Sequence, residues 1–532
     1  MSALLFAAVA LPALTALACA LVPARIGDRA GSWGAAGAAT ALALTGVVAF
    51  AVASQGPVAA ALPGGTPAVL HADRLTIVML ALVLGVSTLT QLFTGRYLSG
   101  DPRQCRLVAA MGATTSAAAV LVSAATLGLL LAAWIAAGLG LLAMFAQRAD
   151  LPSARLGLRR AAAAFAVGDL ALVAACALVW TGIGGLDVRD VGAAAHALAD
   201  TRIGVAGLSV PTAPVVACLL VVAAMGRCAL LPLHRWLPAT LAAPTPVSAF
   251  MHAGLVNAGG FLLVRLGPVF SSSGLATHLA FAVGALTAFY GTALMLSRPD
   301  TKGALAYSTI GQMGFMVMAC ALGAFAFVVF HLVAHGMYKA ALFLGAGSAI
   351  GASKRHRAVP RPAPAGVGWP APTRLAVAAA VPAAVLWVCL TTFASGVLEQ
   401  PGALALLPFA WASAAHALWA WLGATPGRAG AGVAATAVVC ASYAVLLVAA
   451  KGFLAPALEA AARPVSPWLV LVPATVLAVA LLARLRPVSS VESDLYARAL
   501  DAGWVTASDT WRATAHRGSA PTRTPAPISS GV

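Results

Sequence analysis

Residues 330–344 read FHLVAHGMYKAALFL, and three proton-binding side chains, His331, His335 and Lys339, recur in it every four residues. Each four-residue step overshoots a full helical turn by only about 40°, so the three share one helix face. Histidine titrates near neutrality and a desolvated lysine can give up its proton, so such a face can relay protons. His252, in SAFMHAGLVN, is a fourth group of the same kind. The alternative is that each is a core residue hydrogen-bonded to a neighbouring helix. A metal site from His331 and His335 has no cysteine or carboxylate at ligand spacing to complete it, so neither a metal nor a cofactor is expected.

The surroundings make these residues costly. The chain of 532 residues is 61% hydrophobic and 9% charged, with a mean hydropathy of +0.93, outside the range of soluble domains. Fourteen or fifteen apolar runs are long enough to cross a bilayer as helices. They lie near 3–23, 34–54, 75–95, 106–124, 126–147, 160–182, 208–231, 243–264, 274–297, 303–323, 325–351, 374–396, 403–423, 430–450 and 466–485. The fold class expected is therefore an all-α polytopic membrane protein, and no polar block is large enough for a soluble domain. An unpaired ionisable group at membrane depth costs several kcal/mol, so each one is a functional candidate.

Two more such groups are Asp169, in AFAVGDLALVAA, and Arg227, in VVAAMGRCALLPLHRW. They are expected to form an intramembrane ion pair tying span six to span seven. Arginine effectively never deprotonates, so Arg227 can bias a neighbour's field but cannot carry a proton. Lys302 and Glu399 are weaker candidates near span ends.

A net charge of +17 could suggest nucleic acid. With the N-terminus outside, however, twenty arginines and lysines fall in cytoplasmic loops. Only Arg74, Arg189, Arg202, Arg265, Lys451 and Arg463 fall in outside loops. This is the positive-inside asymmetry of a membrane protein. It predicts a multi-pass protein of the cell membrane, lipid-embedded, with its polar tail cytoplasmic and no nucleic-acid partner. The start, MSALLFAAVALPAL, lacks a basic n-region and reads as a retained span. The eight cysteines show no CxxC pair and read as small core residues.

The organisation expected has five parts. Residues 1–105 hold spans one to three, with an outside loop (QGPVAAALPGGTPAVLHADRL) able to form a hairpin. Residues 106–264 and 265–425 form two five-helix repeats, the second containing the basic, Pro-rich inside linker 353–372. Residues 426–486 hold the last spans, and 487–532 form a partly disordered tail. Segment 184–206 reads as an interfacial helix on the outer surface. Pro232, Pro238, Pro244 and Pro246 break span seven or end it early, and Pro382 falls inside span twelve. Paired breaks five spans apart suit an inverted repeat with a hydrated path beside the breaks.

RCALLPLHRWLPATLAAPTPVSAFMHAGLVNAGGFLLVR resembles the core signature of the antiporter-like subunits of respiratory complex I (chain 5-like) and of multisubunit Mrp-type cation/proton antiporters. RPDTKGALAYSTIGQMGFM and FHLVAHGMYKAALFLGAGS resemble its next two blocks, and the likeness spans about residues 70–350. GRYLSGDPRQCRL and HAGLVNAGGFLLVR are similar to the DabB branch, the membrane subunits of the DAB inorganic-carbon uptake systems. That branch implies a partner, a DabA-type soluble zinc protein similar to β-carbonic anhydrases. A proton or other cation gradient would drive one-way CO2 hydration by the pair. The chain itself would be a transporter subunit without zinc, redox chemistry or enzymatic activity. The other branches imply instead a proton-translocating subunit of complex I, a membrane hydrogenase or an Mrp antiporter.

Two departures stand out. The superfamily carries lysine where this chain has Arg227. Complex I subunits carry glutamate where Ile135 follows Trp134, an acid that DabB-type chains also lack. The proton path implied by the resemblance then rests on His252, His331, His335 and Lys339.

Overall fold

The computed structural model of the chain describes residues 1–62, 64, 67–205, 208–358, 369–393, 402, 406–458 and 464–475. Most of the linker 353–372, Glu399 and the tail from 487 lie outside them. Among the described residues, twelve helices are long and apolar enough to span a membrane. The chain is an all-α polytopic membrane protein.

The first six long helices are α1 (Ser2–Leu21), α2 (Ala30–Gln55), α3 (Arg74–Tyr97), α4 (Gln104–Ser123), α5 (Leu127–Ala146) and α6 (Pro152–Ile183). Their starts follow the local sequence. Asp73 accepts the Thr76 amide at 2.8 Å to cap α3, and Thr126 accepts that of Leu129 at 3.3 Å to cap α5. The loop before α3 is an antiparallel hairpin of β1 (Val58–Ala61) and β2 (Ala68–Ala72), as the glycines and prolines between the strands predict. Segment 184–206 holds a nine-residue helix, Val191–Ala199, and then β3 (Arg202–Val205), which pairs with β4 (Leu208–Pro211) just beyond it in a second hairpin.

α7 (Thr212–Arg227) is only sixteen residues long. Beyond it Ala229 takes a positive φ of 53°, and the chain turns through short helical segments before α8 (Thr245–Ala253). A helix end leaves backbone groups without partners, and lipid supplies none. Here the indole of Trp236 donates to the carbonyl of Gly226 at 3.0 Å, and the amide of Leu231 donates to the Thr287 hydroxyl at 3.1 Å. α8 and α9 (Ala258–Arg265) together make one span, interrupted by a 3-10 turn at Leu255–Asn257.

α10 (Gly274–Ser297), α11 (Thr301–Ala321) and α12 (Phe325–Ala358) complete the part that positions the candidate site. α13 (Ala371–Phe393), α14 (Leu407–Ala424) and α15 (Ala429–Leu454) follow. One expectation needs correction: α13 runs through Pro382 as a single helix. A proline deletes one hydrogen bond and crowds the carbonyl four residues back, a local cost that an apolar helix packed against its neighbours can absorb.

Candidate functional site

α8, α11 and α12 meet in the middle of the bundle. α12 approaches α8 closely because residue 336 is glycine. A Cβ there would lie 2.7 Å from the carbonyl oxygen of Ala253 and 2.7 Å from a methyl of Leu82. The residue before Ala253 is His252, and the one before Gly336 is His335, so this contact sets the two helices carrying them against each other.

Lys339 is fully buried and is among the largest such side chains in the molecule. Its ammonium donates to the Ser308 hydroxyl at 2.8 Å and to the Leu305 carbonyl at 3.3 Å, both on α11. One turn earlier on α12, His335 is 3% exposed, and neither ring nitrogen has a hydrogen-bond partner among the described residues. Another turn back, His331 stacks on His335 with ring centroids 5.9 Å apart and planes 15° apart. Its Nε2 is likewise unpartnered among the described residues. Phe315 and Phe327 wall the His331 ring at 5.7 and 6.3 Å.

His252 joins from α8. Its ring stacks on Phe343 at 4.4 Å, and Phe343 lies one turn past Lys339 on the same face of α12. Its Nδ1 lies 3.0 Å from the hydroxyl of Thr309, the neighbour of Ser308. Lys302 stands two turns before Thr309 on α11, about 10 Å along the axis. There it donates to the Ala243 carbonyl at 3.3 Å. These five ionisable groups, from α8, α11 and α12, thus follow one another through the contact region of the three helices. Ser308 and Thr309 are partners within it that their residue types alone did not single out.

The arrangement suits proton transfer rather than ion-pair bracing. Lys339 faces a hydroxyl that can accept its proton's hydrogen bond or donate to a neutral amine by rotating.

Asp169 and Arg227 lie apart from this line, in the half built from α4 to α7. They pair at 2.9 Å, and the indole of Trp134 donates to the same carboxylate oxygen at 2.8 Å. Ile135 is half-buried and packs against the hydrophobic core. Glu399 lies outside the described residues.

Sequence reasoning missed a third ionic element. Arg265, read as an outside-loop charge, is buried, and its guanidinium grips Asp73 with two bonds of 2.5 and 3.1 Å. The same guanidinium donates to Thr76 at 2.6 Å, and His71 Nε2 lies 3.8 Å from the Asp73 carboxylate. Burial works to raise the pKa of Asp73, but the Arg265 charge and the hydrogen bonds outweigh it and hold the carboxyl well below the usual carboxylate range. The partners are 192 residues apart in the chain. The one local signal was the Asp-x-x-Thr cap at the start of α3.

Comparison with known proteins agrees with this architecture. Residues 124–361 match the family described as NADH:quinone oxidoreductase/Mrp antiporter, TM. Residues 66–106 match the family described as NADH-Ubiquinone oxidoreductase (complex I), chain 5 N-terminus. The chain is 37% identical over 366 residues to a probable inorganic carbon transporter subunit DabB1 of Halothiobacillus neapolitanus, covering 66% of this chain and 64% of that one. A probable inorganic carbon transporter subunit DabB of Bacillus subtilis is 35% identical, over 53% of this chain and 54% of its own. NADH-ubiquinone oxidoreductase chain 5 of Metridium senile is 36% identical over 53% and 45%. The chain thus spans less than two thirds of the length of these relatives. Among solved structures, the Mrp complex from Dietzia sp. DQ12-45-1b superposes with a TM-score of 0.62 at 22% identity, over 99% of this chain and 64% of that one.

Proposed function

Because the chain belongs to the complex I/Mrp antiporter superfamily and is DabB-like within it, we propose that it is the cation-translocating membrane subunit of a two-component inorganic-carbon uptake complex. Its partner is a soluble DabA-type zinc protein that carries out CO2 hydration. The observation that carries translocation is the buried line from Lys302 through His252 and Lys339 to His335 and His331. The carbon role rests on the relatives' names and on the stretches GRYLSGDPRQCRL and HAGLVNAGGFLLVR.

In this reading Lys339 is the central station. Charged, it is held by Ser308 and Leu305. Neutral, it accepts from the Ser308 hydroxyl and can take a proton relayed by His335. His331 continues the line toward the end of α12 that begins at Phe325. Lys302 and His252 continue it toward the start of α11. With the N-terminus outside, these ends face the outer and the cytoplasmic surface of the cell membrane.

The test is growth in air of a host lacking carbonic anhydrase. Co-expression of this chain with a DabA-type partner should restore growth, while either component alone should not. Restoration by this chain alone would sink the two-component reading. An antiporter role remains the second reading, since the fold likeness to the Mrp complex extends over nearly the whole chain. Cation/proton exchange by this chain in inverted vesicles, without the zinc partner, would favour it.

A further inference from the structure

Arg227 ends α7, and its guanidinium is held from several sides. Nη2 donates to Asp169 Oδ1 at 2.9 Å and to the carbonyl of Trp134 at 3.0 Å. The guanidinium carbon lies 4.4 Å from the Phe165 ring centre and 5.1 Å from that of Trp134. Gly138, one turn along α5 from Trp134, leaves the space the fork occupies; a Cβ there would collide with both terminal nitrogens. The carboxylate that Arg227 grips is itself fixed by the Trp134 indole.

This environment is the reverse of that around Lys339. A serine hydroxyl can serve either protonation state of a lysine, whereas a carboxylate and a carbonyl only accept. A guanidinium keeps its proton in any case. A guanidinium already neutralised by a carboxylate that the Trp134 indole also holds offers a passing proton or metal cation no exchangeable site. The side chain also fills the space between α5, α6 and α7.

We propose that Arg227, clamped by Asp169, Trp134 and Phe165, is a permanent closure of the α4–α7 half of the bundle, so that ions cross only along the α8–α12 line. The inference rests on the chain being a cation-translocating subunit. A small cavity lined by Trp134, Phe165, Trp236, Leu255 and Ala258 already adjoins the guanidinium. Truncating Arg227 would merge its volume with that cavity and leave Asp169 as an unpaired anion beside it.

The experiment uses the complex with its DabA-type partner, reconstituted in liposomes. Passive proton leak is read with an entrapped pH dye under an imposed potassium-diffusion potential, and driven uptake is read in cells per assembled complex. Arg227→Ala should raise the leak severalfold over wild type. The paired variant Arg227→Met/Asp169→Leu replaces a buried ion pair by apolar groups of similar size, a change that folded proteins often tolerate. It should keep the wild-type leak and most of the driven uptake. Loss of uptake in the correctly assembled paired variant, as severe as in Lys339→Arg, would put Arg227 in the path and overturn the closure. An Arg227→Ala complex that assembles and stays proton-tight would overturn it too. If Arg227→Ala does not assemble, the paired variant decides alone. Failure of the carbon-uptake reading would appear instead as absence of uptake in the wild-type complex, with the leak comparison still legible.

Discussion

The ammonium of Lys339 donates to the hydroxyl of Ser308 across 2.8 Å, joining α12 to α11 inside a largely apolar bundle. If this contact serves proton transfer, the charge must come and go. Lys339→Arg keeps the charge and removes the neutral state. It should therefore lower gradient-driven uptake per assembled complex by about a hundredfold, the low end of what a proton-transfer group contributes. His335→Ala should do the same by interrupting the line. Near-normal uptake with Lys339→Arg would mean that proton release from this lysine is not needed.

The contact at Gly336 supplies a second test, aimed at spacing rather than chemistry. Gly336→Ala must push α12 away from Ala253 and Leu82, at a packing cost of about 1–3 kcal/mol. Separation of His335 from the helix bearing His252 should lower uptake while all five ionisable groups stay in place. Gly347→Ala on the same helix meets nothing within 4 Å and should match wild type. Equal behaviour of the two variants would remove helix spacing as a determinant.

The grip of Arg265 on Asp73 should matter for stability instead. Asp73→Asn leaves a buried guanidinium without its counter-charge, costing about 3–5 kcal/mol. A lower melting temperature in detergent and lower membrane abundance are expected, with uptake per surviving complex unchanged. The folded-state pKa of Asp73 lies below its unfolded value. Its stabilisation is therefore full above the unfolded pKa, about 3.9, and lost only as pH falls below that. Melting of the wild type should accordingly owe nothing to this pair's titration between pH 5 and pH 8. A normal melting temperature for Asp73→Asn would show the pair to be dispensable.

Orientation is open to a direct measurement. With the N-terminus outside, a single cysteine at position 358 in a cysteine-free chain should resist impermeant thiol reagents added to whole cells and react after lysis. Clean labelling in intact cells would invert the topology.

The sequence disclosed what local periodicity can carry. Apolar runs of helical length announced the spans, and the four-residue recurrence of His331, His335 and Lys339 announced a common face. Prolines around residue 232 announced the early end of α7. Pro382 misled, because whether a helix absorbs a proline depends on its neighbours, and those are not written in the local stretch. The Arg265–Asp73 grip was hidden for a different reason: each residue taken alone looks like an ordinary charge at a span end. Their burial arises only when α3 and α9, far apart in the chain, come together. Ser308 and Thr309 were unremarked because hydroxyls are common in membrane helices, and only a facing lysine and histidine distinguish these two.

The fit between Gly138 and Arg227 also constrains how such a chain can vary. The guanidinium keeps its present pose only while position 138 carries no Cβ, whereas glycine at 138 is tolerable beside a smaller residue at 227. A larger residue at 138 would displace the fork from Asp169 and Trp134 rather than merely crowd it. Descendants that keep the arginine should keep the glycine, and a lineage regaining a smaller side chain at 227 would be free to let 138 drift.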